Sequence, residues 1–116
     1  MEPRGHRILV VEDNRDAAES LRLLLSRAGH GVRVAHDGLA GVRVAQEWGP
    51  DVVLCDIGLP RLAGFGVARA LRQGEARLVA ITASGDEETC RQARESGFDH
   101  FLVKPVDPVR ILQLLA

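Results

Sequence analysis

The sequence is 116 residues long and 46% hydrophobic, with 15 basic and 16 acidic residues and a formal net charge of −1. That length and apolar content suit a single domain over 1–116 with a real core, and the balanced charge leaves no electrostatic footprint for nucleic acid or an anionic membrane. Apolar stretches run only a few residues and positions 1–6 form a short polar lead-in, so a cytoplasmic protein without membrane spans is expected.

The first strand is "ILVV" (8–11). Behind it Asn14 caps a helix in which Ala17, Ala18, Leu21, Leu24, Leu25 and Ala28 recur at helical spacing, and Gly29 stops it. In "VRVA" (32–35), Arg33 interrupts the apolar run, which predicts an edge strand with one wet side. Asp37 caps a second helix carrying Val42, Ala45 and a half-buried Trp48, and Gly49-Pro50 ends it. "VVLC" (52–55) is the third strand; Gly64 and Gly66 read as turn residues before a third helix from about Phe65 through Ala68 to Leu71.

"LVAI" (78–81) follows, then a fourth helix with Asp86 near its start, Cys90 and Ala93 inside, Gly97 at its end, and Arg91, Arg94 and Glu95 outward. "FLV" (101–103) is the fifth strand, and Asp107-Pro108 opens a fifth helix presenting Ile111, Leu112 and Leu115. Its apolar pattern is unfinished at Ala116, so this helix is expected to be truncated. Five apolar runs alternating with five helical segments predict an α/β domain around a parallel sheet, with every strand but the second covered on both faces. Cys55 and Cys90 lack metal or redox spacing and read as reduced thiols, while His6, His30, His36 and His100 read as surface histidines.

In an open parallel sheet, ligands bind beyond the carboxyl ends of the strands. The first strand ends in Glu12 and Asp13, the third in Asp56, the fourth in Thr82 and the fifth in Lys104, next to Pro105. If the first and third strands are neighbours, three carboxylates converge, and a pair about 4 Å apart repels by roughly 4 kcal/mol at an effective dielectric near 20. Such a cluster needs a cation, and few hard oxygen ligands suit Mg²⁺ better than Ca²⁺ or Zn²⁺. An Asp so neutralised, near a lysine, is a candidate nucleophile toward phosphorus, with Lys104, the Thr82 hydroxyl and the Ala83 backbone N–H to stabilise the transferring group.

Here the segments "ILVVEDN", "PDVVLCDIGLP", "ITA" and "FLVKP" resemble, in order, the four signatures of the receiver domain of two-component response regulators. The resemblance covers nearly the whole chain. It implies a flavodoxin-like, doubly wound (βα)5 fold with a five-stranded parallel sheet of order 2-1-3-4-5. It further implies Asp56 as phosphoacceptor, Mg²⁺ held by Asp13, Asp56 and the Gly58 backbone carbonyl with Glu12 acting through water, Thr82 and Lys104 on the phosphoryl group, and a cis bond before Pro105. Phe101 falls at the switch-aromatic position.

The implied partner is a histidine kinase or phosphotransfer protein. The implied response is movement of Thr82, inward rotation of Phe101, and a reshaped face of the fourth helix, fifth strand and fifth helix, which is also a place for a homodimer. "GLP" and "GFDHFLVKPVDP" resemble receivers attached to hybrid sensor kinases, so a fused kinase or output domain outside this chain belongs to the same picture. Gly58 and Ser84 are small where the family's side chains set phosphate lifetime. Two other readings are a Mg²⁺-dependent aspartate-nucleophile phosphatase, against which Gly58 stands in place of a second acid, and a phosphate-independent interaction module, against which the acidic pair, acceptor and lysine stand.

Overall fold

The computed structural model describes residues 5–57, 64–83 and 85–115. Five strands, β1 (Arg7–Val11), β2 (Gly31–Ala35), β3 (Val52–Asp56), β4 (Arg77–Thr82) and β5 (His100–Val103), form one parallel sheet in the order 2-1-3-4-5. Five helices connect and follow them: α1 (Arg15–Arg27), α2 (Gly38–Trp48), α3 (Gly64–Leu71), α4 (Glu87–Ser96) and α5 (Pro108–Leu115). No helix among the described residues is long and apolar enough to cross a membrane.

The two-residue period of the strands divides the core into two layers. Leu9, Val11, Val53, Cys55, Leu78 and Ala80 face one way, onto Ala45 of α2, Val67 and Ala68 of α3 and Ala93 of α4. Ile8, Val10, Val52, Leu54, Val79, Ile81 and Leu102 face the other, onto Leu25 of α1 and Ile111 and Leu115 of α5. Both sides of β1, β3 and β4 are therefore covered, which is why those strands are near-continuous apolar runs.

Local signals place the helix ends. The Asn14 side chain accepts from the Ala17 N–H, that of Asp37 from Ala40 and that of Asp86 from Thr89, so each satisfies a donor that the first helical turn leaves unpaired. Gly49 closes α2 in the left-handed region at φ 69°, a conformation that costs other residues energy.

Three expectations are corrected. β5 is only partly covered: Leu102 is buried in one layer and Phe101 packs against the other, but His100 and Val103, the end residues of this short second edge strand, are exposed. Gly64 and Gly66 are not turn residues ahead of the third helix but part of α3. A Cβ at Gly64 would lie 2.3 Å from Ile57 Cα and 2.9 Å from the Asp56 carbonyl oxygen, so glycine lets the helix start against the end of β3. Nor are His6 and His30 plain surface residues. Their rings stack at 5.6 Å, the His6 N–H donates to His30 Nδ1 at 2.9 Å, and His6 Nε2 lies 2.9 Å from the Leu115 carbonyl, tying β1, the α1–β2 turn and α5 together. His36 is likewise half-buried and bonded, whereas His100 is exposed.

Trp48 is half-buried as expected, and the Arg33 guanidinium lies 4.7 Å from its ring centroid. A cation over an aromatic face on an edge strand shields that edge while keeping it charged.

Candidate functional site

Strand register assembles the site. Val11 pairs with Cys55, so Glu12, the next residue, stands level with Asp56; Asp56 pairs with Ile81, and Thr82 with Val103, so Thr82 and Lys104 follow at the same end. The ladder runs one rung past these pairs, with Ile57 N–H donating to Ile81 O at 3.1 Å and Lys104 N–H to Thr82 O at 2.7 Å. Backbone bonding thus holds Asp56, Thr82 and Lys104 in place up to the residue that carries each side chain.

The carboxylates of Glu12, Asp13 and Asp56 offer oxygens that all lie within 4.8 Å of one another. Glu12 and Asp56 are only 3% and 8% exposed, whereas Asp13 faces solvent. Lys104 Nζ donates to Asp56 Oδ2 at 2.9 Å and lies 3.6 Å from Glu12 Oε1. Burial raises the Glu12 carboxyl above its ordinary value, with Asp13 and Asp56 adding to the rise, while the Asn14 N–H, 3.1 Å from Glu12 Oε2, opposes it. The bond to Asp56 holds the Lys104 ammonium above its usual value.

Lys104 is the sequence's only lysine; every other basic side chain is arginine. An ammonium is a compact point charge on a flexible stem, whereas a guanidinium imposes a planar fork, so a small crevice holding two buried carboxylates suits lysine. The Lys104–Pro105 peptide bond is cis. Thr82 is buried, at 6% exposure, and Ala83 beyond it is exposed. Phe101 is half-buried on β5, packed against the core, with the Arg94 guanidinium 5.9 Å from its ring centroid. Gly58 and Ser84 lie outside the described residues.

Two buried carboxylates, Glu12 and Asp56, and the exposed Asp13, with one ammonium, are a hard, all-oxygen donor set carrying excess negative charge. That chemistry fits a small divalent cation such as Mg²⁺, and the absence of sulfur or imidazole from the cluster disfavours zinc. Cys55, directly before Asp56, takes no part: burial pushes its thiol far up, and its Sγ lies 3.5 Å from the Asp56 carbonyl.

Residues 8–116 match the response regulator receiver domain family. The chain is a member of that family. It is 35% identical over 112 residues to an uncharacterized 14.6 kDa protein of Leptolyngbya boryana, covering 93% of this chain and 86% of that one. It is 34% identical over 113 residues to the DNA-binding response regulator MtrA of Mycobacterium tuberculosis, covering 97% of this chain and 50% of MtrA. Among solved structures, the receiver domain of sensor histidine kinase PA1611 from Pseudomonas aeruginosa, with magnesium coordinated in its active site cleft, superposes with a TM-score of 0.86 at 29% identity over 96% of this chain and 94% of that one. The receiver spans about half the length of the DNA-binding regulators it matches, and 44% of the regulator AfsQ1 of Streptomyces coelicolor.

His36, which reads in the sequence as a surface histidine, is half-buried beside the site. It follows β2 and places ring Nδ1 3.0 Å from the Glu12 carbonyl oxygen. The signal was its position: one residue past an edge strand, at the same end of the sheet as the acids.

Proposed function

We propose that this receiver domain accepts a phosphoryl group on Asp56 from a phosphohistidine partner, in a site that binds Mg²⁺, and reports the change through altered protein contacts. The observation that carries the reading is one nearly buried carboxylate at a strand end, bonded at 2.9 Å by the only lysine and flanked by Glu12 and Asp13. Asp13 and Asp56 would hold the ion, with Glu12 acting through water and the Gly58 carbonyl as a further ligand. Bound there, Mg²⁺ would neutralise part of the charge on the transferring oxygens.

The rest falls to the chain. An Asp56 oxygen forms the new bond to phosphorus while the bond from phosphorus to the donor's histidine nitrogen breaks, and that nitrogen keeps the electron pair. Lys104 exchanges a carboxylate partner for a phosphoryl oxygen, and Thr82 and the Ala83 N–H donate to others. The product carries about −1.5 to −2 charges and three acceptor oxygens where one carboxylate stood. Thr82 drawn toward it leaves room beside Phe101, whose ring borders a cavity of about 500 Å³ lined also by Val103, Pro105, Val106 and Arg110. Val103 on β5 and Val109 on α5 are both exposed apolar side chains, which supports reading β5 and α5 as the surface that partners meet.

The test is labelling by acetyl phosphate with Mg²⁺, read by mass spectrometry. The parent chain is expected to gain one phosphoryl group and Asp56→Asn none; stoichiometric labelling of Asp56→Asn would overturn the assignment.

A further inference from the structure

Glu12 and Asp13 belong to the β1–α1 connection, and Glu12 is tied at three points. Its N–H donates to Ala35 O at 2.9 Å, one step past the last register pair, Val11 with Ala35. Its side-chain Oε2 accepts from the Asn14 N–H at 3.1 Å. Its carbonyl oxygen stands 3.0 Å from His36 Nδ1.

That third contact has a definite chemistry. A carbonyl oxygen only accepts, so Nδ1 carries the hydrogen, and the neutral ring is the Nδ1–H tautomer. In a continuing parallel pair this carbonyl would meet a backbone N–H of the neighbouring strand. β2 ends at Ala35, however, and the chain turns into Asp37, the cap of α2. The His36 ring supplies the rung from a side chain.

We propose that His36 is a positioning residue for the acidic connection: by fixing the Glu12 carbonyl it sets where the Glu12 and Asp13 carboxylates stand relative to Asp56, and so raises the affinity for a divalent cation. The inference rests on reading this cluster as a Mg²⁺ site. Ordering ligands before the ion arrives spares that ordering on binding, and partners that orient metal ligands commonly matter tenfold or more to affinity. A single neutral hydrogen bond at a half-buried position places the effect at about three- to tenfold.

The experiment is calorimetric titration of the full chain with MgCl₂ near neutral pH, for the parent, His36→Ala and His36→Asn. The asparagine amide can present an N–H close to where Nδ1–H lies. His36→Ala is expected to bind Mg²⁺ about three- to tenfold more weakly and His36→Asn to return to within about twofold of the parent. In parallel, nitrogen-15 spectra of the metal-free parent's imidazoles, which need no variant, should show His36 as the Nδ1–H tautomer. Equal affinity of His36→Ala and parent, an asparagine variant as weak as alanine, or an Nε2–H ring each overturn the proposal. If the parent takes up no Mg²⁺, the metal-site reading fails and the affinity role with it, while the ring tautomer still decides whether His36 holds the connection.

Discussion

Lys104→Met removes the ammonium that lies 2.9 Å from Asp56 and 3.6 Å from Glu12 and keeps most of the apolar stem. At an effective dielectric of about 20 those distances correspond to roughly 6 and roughly 5 kcal/mol of attraction, which are upper figures. The Lys104 side chain is 40% exposed, so water screens both contacts and competes for the ammonium. Against that, Glu12 and Asp56 are almost out of water, and stripping the partner from a buried charge costs about 3–5 kcal/mol when both groups are fully enclosed. The half-exposed cation brings the expected loss to about 2 kcal/mol in metal-free buffer at neutral pH. With an unfolding entropy of about 2.1 cal/mol/K per residue, 116 residues translate this into a Tm lowered by about 8 °C.

The pH dependence carries the sign. Lys104 is raised in the fold, so its contribution is complete below the ordinary lysine value and is lost as pH rises through the folded one. Glu12 is also raised, so the fold favours its neutral form. Stability from that group is present below the ordinary glutamate value and is lost as pH rises through the folded one. The gap between Lys104→Met and parent should therefore shrink on acidification, as the carboxyls take up protons and need no cation. Thermal unfolding followed by circular dichroism, in EDTA and with Mg²⁺, measures both. An unchanged Tm in EDTA, or a deficit that persists in acid, would refute the electrostatic account.

Three further outcomes follow from the same structure. His30 is held below its ordinary value by burial, with the stacked His6 adding to it, and its Nδ1 accepts the His6 N–H. Its stabilisation is therefore present above about pH 6.5 and lost as pH falls through the folded value, and His30→Asn should flatten the parent's stability slope between about pH 5 and 7; an identical slope would remove His30 as the source. Gly64→Ala should cost at least about 2 kcal/mol in urea denaturation although alanine favours helix, because its Cβ meets the Ile57 backbone; a more stable variant would contradict that contact. Cys55, fully buried with its thiol pushed up, should react with a thiol reagent only at the rate of global unfolding, and labelling that stays fast in the native state would show the β3 core to be open.

Strands, helix caps and the polar residues at the strand ends were legible because each is a local signal: uninterrupted apolar runs, Asn14, Asp37 and Asp86 before helical spacing, Arg33 breaking an edge. Gly64 was misread because a glycine that permits close approach looks, in sequence, like one that permits a turn; only the 2.3 Å distance to Ile57 separates the two. His6 and His30 were misread because their partners are one another and the Leu115 carbonyl, 24 and 109 positions away.

By itself the sequence determined which chemical groups the protein owns and which ends of which strands carry them, since a side-chain period of two and a capping residue act over a few positions. What only the tertiary structure decided is how close those groups stand. The register of Val11 with Cys55 brings Glu12 level with Asp56, the β4–β5 ladder delivers Lys104 to 2.9 Å from it, and the end of β2 leaves a carbonyl for His36. Those distances arise from strand pairing between segments far apart in the chain, and the electrostatics of the site, from the raised Glu12 to the held lysine, exist only once the pairing is made.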